Sequence, residues 1–291
     1  MPVIIRCVVS TLVMLSAQAM FAAENTTRVE TLRRYSTLHS IGVEWDLAGD
    51  ANHNARCAVA YRQRGRAEWS AAMDLLRVDF HGYYSTTRAD RRYNMLAGSI
   101  FFLKPGTTYE VRLTLKDADG GDRTEQFSIV TWPALSLPSG GRRRHVVPGD
   151  GGGTGSAGDP IRGLAAADQL AQPGDIFLLH KGDYGRFSPK VSGKPGQRIA
   201  WIPAGDGLVE IHHLNIYANH LWLEGFQITR TAEAARNGVR DRINATDIIL
   251  RRNVIKGFYY GVLVGRYKAT RWVITDNVIV GDKDRSTARG Y

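Results

Sequence analysis

The sequence predicts an all-β protein, an antiparallel sandwich followed by a solenoid of stacked coils. Two observations carry the first half and one carries the second. Apolar residues before position 133 alternate with polar ones, the period of half-buried strands, and no helical period appears among them. Turns rich in Gly and Asp cut those runs into short pieces. Beyond position 199 whole segments recur every 23 to 27 residues, which leaves room for short strands but not for a helix beside them.

The chain opens on an address signal. Arg6 is followed by the apolar run Cys7–Leu15 and then by Ala17-Gln-Ala19, the order of a secretory leader over residues 1–23. Ala19, Ala22 and Ala23 are alternative cleavage points. The run is too short to cross a bilayer and no second apolar stretch of about 20 residues follows, so no membrane span is expected. The mature protein is expected to be secreted or periplasmic and monomeric. Losing Cys7 with the leader leaves Cys57 alone, which excludes an intrachain disulfide and a cysteine-based zinc site. A lone cysteine on a strand suits a small core hydrophobe.

The first domain is expected over residues 27–133. Ile41, Val43 and Trp45 alternate as a strand should; Ala58–Arg62 does so again and ends at Gly65. Tyr109, Val111, Leu113 and Leu115 form a third run, stopped by Asp117-Ala-Asp-Gly-Gly121, and Phe127, Ile129 and Thr131 form a last one before Pro133. Within this domain Leu103-Lys-Pro-Gly-Thr-Thr-Tyr-Glu-Val-Arg112 resembles the tyrosine corner of a fibronectin type III domain, in which the phenol hydroxyl bonds back to a nearby backbone group. Trp45 and Tyr61-Arg62 fit the same pattern. Residues 73–95, with Tyr83, Tyr84 and the stretch Arg88 to Arg92, depart from it in being longer and more polar. The resemblance implies a spacer or binding module, since that family has no shared catalytic centre.

Residues 134–158, rich in Ser, Gly and Pro, are predicted to be a flexible linker. They contain Arg142-Arg-Arg144 and Gly151-Gly-Gly-Thr-Gly155. A Gly-rich stretch cradles phosphate where it joins a strand to a helix, but no Gly-Lys-Ser/Thr and no βαβ unit occurs here, which argues against a nucleotide site. The solenoid is expected over residues 159–291. Asp159-Pro160 is predicted to open a short helix, with Asp as N-cap and Ile161, Leu164, Ala167 and Leu170 on one face, ending at Pro173-Gly174. Asp175–Tyr184 then supplies a strand.

The repeats give the solenoid its register. Leu221–Ile228, Ile248–Ile255 and Trp272–Ile279 align so that Leu223, Leu250 and Ile274 are equivalent, at offsets of 250 − 223 = 27 and 274 − 250 = 24. Asn253 and Asn277 then coincide, and Gly238-Val239 aligns with Gly261-Val262 at an offset of 23. One coil cannot hide its apolar side, but stacked coils share a continuous interior. Stacked Asn side chains at a turn can bond one another from coil to coil.

On these features the second half resembles the right-handed parallel β-helix of the pectate-lyase-like superfamily. Leu164 to Tyr184 is similar to its capping helix and first coil. Val191-Ser-Gly-Lys-Pro-Gly196, Ile199–Ala204 and Leu221–Phe226 look most like the alginate lyase and chondroitinase B type. The polar end of the chain, Asp282–Tyr291, lacks the cap a solenoid needs, so a C-terminally truncated solenoid is expected, one in which the main catalytic coils are absent. The resemblance implies that the full-length protein cleaves acidic polysaccharide by β-elimination. A base, commonly Lys or Arg, takes the proton α to the uronate carboxyl while a cation neutralises that carboxylate.

The charge distribution agrees with an acidic ligand. The total of 38 − 28 = +10 divides into 15 − 13 = +2 over residues 27–133 and 22 − 14 = +8 over residues 134–291. Charge alone fits nucleic acid as well as a polyuronate; the solenoid resemblance selects alginate, pectate or a glycosaminoglycan-like polymer and no nucleic acid. Around the Gly-Val strands lie Arg230, Arg236, Arg240, Tyr259, Tyr260, Lys283 and Arg285, the candidate substrate-binding residues, because guanidinium forks suit carboxylates and aromatic faces suit sugar rings. A solvated basic surface is the plainer reading of the same residues. Lys256 is the candidate base, and Asp282 and Asp284 are candidate ligands for Ca²⁺, unless they only form a turn. Two rival functions stay open: a non-catalytic carbohydrate-binding or cell-surface protein, and a glycoside hydrolase working through clustered carboxylates.

Overall fold

The computed structural model describes residues 24–78, 93–231, 236–265 and 268–281, so the expected leader lies outside the described residues. The chain divides into two compact units, one ending at Leu135 and the other beginning at Ser136.

The first unit holds β1 (Arg28–Ser36), β2 (Ile41–Ala48), β3 (Arg56–Gln63), β4 (Ser70–Ala71), β5 (Leu76–Val78), β6 (Met95–Ile100), β7 (Thr108–Lys116) and β8 (Arg123–Val130). They form two antiparallel four-stranded sheets, ordered β1-β2-β6-β5 and β4-β3-β7-β8. The alternation seen in the sequence is the packing: Ile41, Val43, Trp45 and Leu47 join Cys57, Val59, Val111, Leu113 and Leu115 in one buried cluster. The Tyr109 hydroxyl accepts a hydrogen bond from the Lys104 amide at 2.9 Å, the back-bond expected of that corner. Burial, with the charge of Asp74 adding to it, pushes the Cys57 thiol up to about 12, so it packs as an inert hydrophobe.

The second unit begins earlier than its repeats suggest. It holds β9 (Arg143–Val147), β10 (Ile161–Arg162), α1 (Leu164–Gln169), β11 (Ile176–Leu179), β12 (Gly182–Asp183), β13 (Arg186–Phe187), β14 (Ile199–Pro203), β15 (Val209–Ile211) and β16 (His213–Ile216). There follow β17 (Leu221–Glu224), β18 (Gln227–Thr229), β19 (Asn237–Asp241), β20 (Thr246–Arg251), β21 (Val254–Phe258), β22 (Tyr260–Leu263), β23 (Thr270–Thr275) and β24 (Val278–Gly281). Three parallel sheets result: β10-β9-β11-β14-β17-β20-β23, β12-β15-β18-β21-β24 and β13-β16-β19-β22. From β11 onward the chain visits the first, second and third sheet in turn, which makes a parallel solenoid of about four turns.

Two expectations about its start are corrected. The segment 134–158 is not all linker, because Arg143–Val147 pairs in parallel with both β10 and β11. The helix does not open at Asp159. Ile161 and Arg162 are drawn into a strand beside Val146 and Val147, and Gly163 (φ 85°) makes the turn into α1. A Cβ at Gly163 would lie 2.2 Å from the Gly149 carbonyl oxygen, so only glycine fits. The Asp159 carboxylate instead accepts from the Thr154 amide at 3.0 Å. Leu164 and Ala167 pack into the solenoid core as expected, but the helix ends at Gln169 and Leu170, expected on the same face, is exposed, with Ala171 packing in its place.

The register inferred from the repeats is present: Leu223 pairs with Leu250 and Leu250 with Ile274, while Val239 pairs with Val262. Phe177, Trp201, Leu223 and Leu250 are completely buried in one inward row. Ile176, Ala200, Trp222 and Ile249, which alternate with that row, are buried too, which is why Leu221-Trp-Leu223 reads as unbroken apolar sequence.

The corners carry polar ladders. Between the first and second sheets Gly225, Arg252 and Asp276 all take positive φ (80°, 52° and 57°), and each is followed by a residue of the ladder Phe226, Asn253, Asn277. Asn253 Nδ2 donates to Asn277 Oδ1 at 3.0 Å and to the Leu223 carbonyl at 3.2 Å, and its Oδ1 accepts from the Phe226 amide at 2.9 Å. Between the third and first sheets a second ladder, unforeseen in the sequence, stacks Arg198, His220, Asp247 and Arg271. Asp247 Oδ1 accepts from Arg198 Nη2 at 2.6 Å and its Oδ2 lies 2.8 Å from His220 Nδ1. His220, Asp247 and Arg271 share positive φ (55°, 60° and 57°), a strain of order 1 kcal/mol at each residue that side-chain bonding across the stack offsets.

Asp247 makes this corner acid-sensitive. Burial works against its charge, but the bonds from Arg198 and His220 and the charges of Arg198 and Arg271 outweigh it and hold the carboxyl below the usual range. A depressed carboxyl stabilises the fold above its unfolded value of about 4 and loses that contribution as pH falls through the lower folded value. In urea unfolding from about pH 7 down to about pH 3, Asp247→Asn is expected to start less stable and to lose less on acidification than the wild type. Parallel profiles would remove Asp247 from the account.

Candidate functional site

The third sheet and the turn that leads into it gather the polar chemistry of the solenoid. At that turn the Arg236 guanidinium lies 4.4 Å from the centroid of the Tyr259 ring, and Tyr259 meets Tyr260 edge-on at 4.6 Å. The Tyr260 amide donates to the Arg236 carbonyl at 3.1 Å, so neighbouring coils hold the three side chains together. A guanidinium stacked on a ring stays charged while its edge remains free for a ligand.

The remaining sequence candidates fall into two further places. Lys256 is exposed on β21, opposite Thr229 and Val280, and its carbonyl accepts from the Arg230 amide at 3.2 Å. Arg230 also reaches the Gly257 carbonyl with Nη1, at 3.5 Å. These two therefore sit together on the second sheet. Arg240 lies on the third sheet between Asn215 and Leu263. Lys283, Arg285, Asp282 and Asp284 lie outside the described residues. Among the described residues no three His, Cys, Asp or Glu side chains converge as metal ligands do.

Sequence reasoning missed the neighbours of Arg240. Arg186 pairs with His213 on the third sheet, and Asn215 pairs with Arg240 in the next outward row. Arg242, just beyond β19, donates from Nε to Asn215 Oδ1 at 2.9 Å. Four buried side-chain atoms without hydrogen-bond partners lie on these two strands: His213 Nδ1, Asn237 Oδ1, Arg240 Nε and Asp241 Oδ1. Each such group costs about 1–3 kcal/mol, and His213 and Arg240 stand in the outward rows, which marks that face as kept for something other than stability. The signal that could have found it is the extension of the Gly-Val ladder backwards. Phe187, Leu214, Val239 and Val262 are equivalent, at offsets of 214 − 187 = 27, 239 − 214 = 25 and 262 − 239 = 23, but without a shared Gly-Val pair the early coils do not align by eye.

A separate cluster stands on the first coils. His145 Nδ1 lies 2.9 Å from His180 Nε2, and His180 Nδ1 lies 2.9 Å from Asp206 Oδ2. The rings stack with centroids 5.1 Å apart. The bond from His180 chiefly holds Asp206 below the usual carboxylate range. An ionised Asp206 accepts a hydrogen bond from the Nδ1–H of His180.

No family of known proteins matches the sequence, and no curated protein matches it either. Among solved structures, a chain from a study on the computer-based redesign of a β-sandwich protein is similar at 13% identity, over 35% of this chain and 94% of that one, with a TM-score of 0.22. That likeness is too slight to carry an argument.

Proposed function

We propose that this is a secreted or periplasmic protein that handles an acidic polysaccharide, a fibronectin type III sandwich followed by a right-handed β-helix of the pectate-lyase-like type, acting as a polysaccharide lyase. The observation that carries the reading is the Arg236–Tyr259–Tyr260 contact, which sets charge and aromatic faces side by side on a rigid stack of coils. Arginine forks take uronate carboxylates and tyrosine rings take the flat faces of sugars. A solenoid surface repeats its strands at about 4.8 Å, so a long polymer meets a long, regular ligand field.

In β-elimination the weak point is the proton α to the carboxyl group. Pairing the carboxylate with a guanidinium spreads the charge that develops when that proton leaves, and a nearby base accepts it. Lys256, beside Arg230, is the proposed base. Ca²⁺ at Asp282 and Asp284 would add to the same neutralisation.

The test is incubation of the protein with alginate, pectate and chondroitin, with and without Ca²⁺, while following the ultraviolet absorbance of unsaturated chain ends. A lyase gives new absorbance, and Lys256→Ala is expected to lose it by about 10²-fold or more while still binding polymer. New reducing ends without absorbance would replace the reading by a hydrolase. Retention of polymer without cleavage would replace it by a binding protein.

A further inference from the structure

In the solenoid unit carboxylates answer several arginines. Arg142 is paired with Asp175 at 2.7 Å, Arg198 with Asp247 at 2.6 Å, Arg251 with Asp276 at 3.5 Å and Arg252 with Glu224 at 3.3 Å. All four pairs involve residues of the first sheet or its corners. The third sheet holds none of these pairs. Arg186, Arg240 and Arg242 have no carboxylate partner among the described residues; Arg240 and Arg242 share β19 and its end, and Arg186 stands two strands away with β16 between them. Adjacent strands lie about 4.8 Å apart and alternate residues of a strand about 7 Å apart, so the three arginines stand around β16 on a stretch of sheet about 16 Å long.

The groups between them supply no negative charge. Asn215 offers Arg242 a neutral oxygen at 2.9 Å where an Asp would offer a charge. His213, only 7% exposed, has no partner at Nδ1, and Arg240 has none at its buried Nε. Asp241, between Arg240 and Arg242, is fully buried in the inward row beside Ile216, and its Oδ2 accepts from the Gly265 amide at 3.3 Å. Asp183 is engaged by His212 Nε2 at 2.9 Å. Burial first, and then the charges of Arg186, Arg242 and His212, lower the affinity of His213 for a proton, so its ring stays neutral and adds no charge of its own.

We infer that Arg186, Arg240 and Arg242, set around His213 and Asn215 on the third sheet, form a binding subsite for the carboxylate of a uronate residue. The inference rests on the acidic-polysaccharide reading and adds to it a place further along the third sheet, reaching back to the first coil, beyond the Arg236–Tyr259 turn. Three uncompensated guanidiniums on a rigid sheet repel one another until an anion enters, and a planar carboxylate matches the fork that each presents. A ligand that takes both places lies along the stack, across coils one to four.

The experiment is equilibrium binding of alginate, polygalacturonate and chondroitin to the whole chain at one ionic strength, then of the carboxyl-reduced form of whichever binds best. The carboxylated polymer is expected to bind and its reduced form to bind on the order of tenfold more weakly or worse, since a charge-assisted hydrogen bond contributes that much. Asn215→Asp places a carboxylate on Arg242 from within and is nearly the same size; it is expected to weaken binding on the order of tenfold, as are Arg240→Gln and Arg186→Gln. Arg271→Gln removes the same unit of charge at another corner and is expected to leave affinity unchanged. Circular dichroism and the thermal midpoint show that each variant is folded, and the exposed Arg186 is the safest of the three. Failure of all three polymers to bind the wild type overturns the subsite and the polysaccharide reading together. Binding by the wild type with undiminished affinity in the three variants overturns the subsite alone. Equal affinity for the reduced polymer overturns the carboxylate as the recognised group.

Discussion

Replacing Asn253 by alanine is expected to destabilise the solenoid by about 3 kcal/mol, because two buried backbone groups lose their partner at once. Asn253 is fully buried and bonds the Phe226 amide on the preceding coil through Oδ1 and the Leu223 carbonyl through Nδ2. Water has no access to either group after truncation, so each carries its own desolvation penalty of about 1–3 kcal/mol. Asn277 occupies the same corner one coil later but is only half-buried, and Asn277→Ala is expected to cost about 1 kcal/mol. Urea unfolding followed by circular dichroism measures both. Equal losses for the two variants, or none for Asn253→Ala, would show that the ladder does not hold adjacent coils together.

Trp201→Ala is expected to be the most damaging single change in the solenoid interior, at about 3–5 kcal/mol. The indole is completely buried, stacks on Phe177 with centroids 4.1 Å apart and an interplanar angle of 11°, and takes the edge of Phe187 at 4.8 Å. Parallel coils on both sides fix the backbone here, so the surroundings cannot collapse into the space left behind. Trp201→Phe is the informative companion. The indole N–H is buried without an acceptor. Removing it while keeping an aromatic ring should hold the loss below about 1.5 kcal/mol. Midpoints in urea that place the two variants together would mean that volume at this position matters less than the stacking implies.

Both positions belong to a scaffold whose rigidity serves its surface. Ladders at two corners and an aromatic stack inside fix the spacing of the coils, and that spacing decides which side chains of the third sheet meet. Arg236 and Tyr259 are 23 residues apart in sequence, yet one strand repeat brings a guanidinium over a ring.

The sequence by itself determined the two units, the alternating strands of the first and the register of the later coils. Alternation and repeat length are local consequences of burial on one face, so they are written along the chain. Leu223, Leu250 and Ile274, or Asn253 and Asn277, needed only counting. Only the tertiary structure decided where the solenoid begins, because Arg143–Val147 becomes a strand through parallel neighbours that arrive 14 or more residues later. It alone decided the Arg198–His220–Asp247–Arg271 corner and the Arg186, Arg240, Arg242 patch. The early coils differ in length by two to four residues from the later ones, and such slips erase the repeat in sequence while the stacked strands restore it in space.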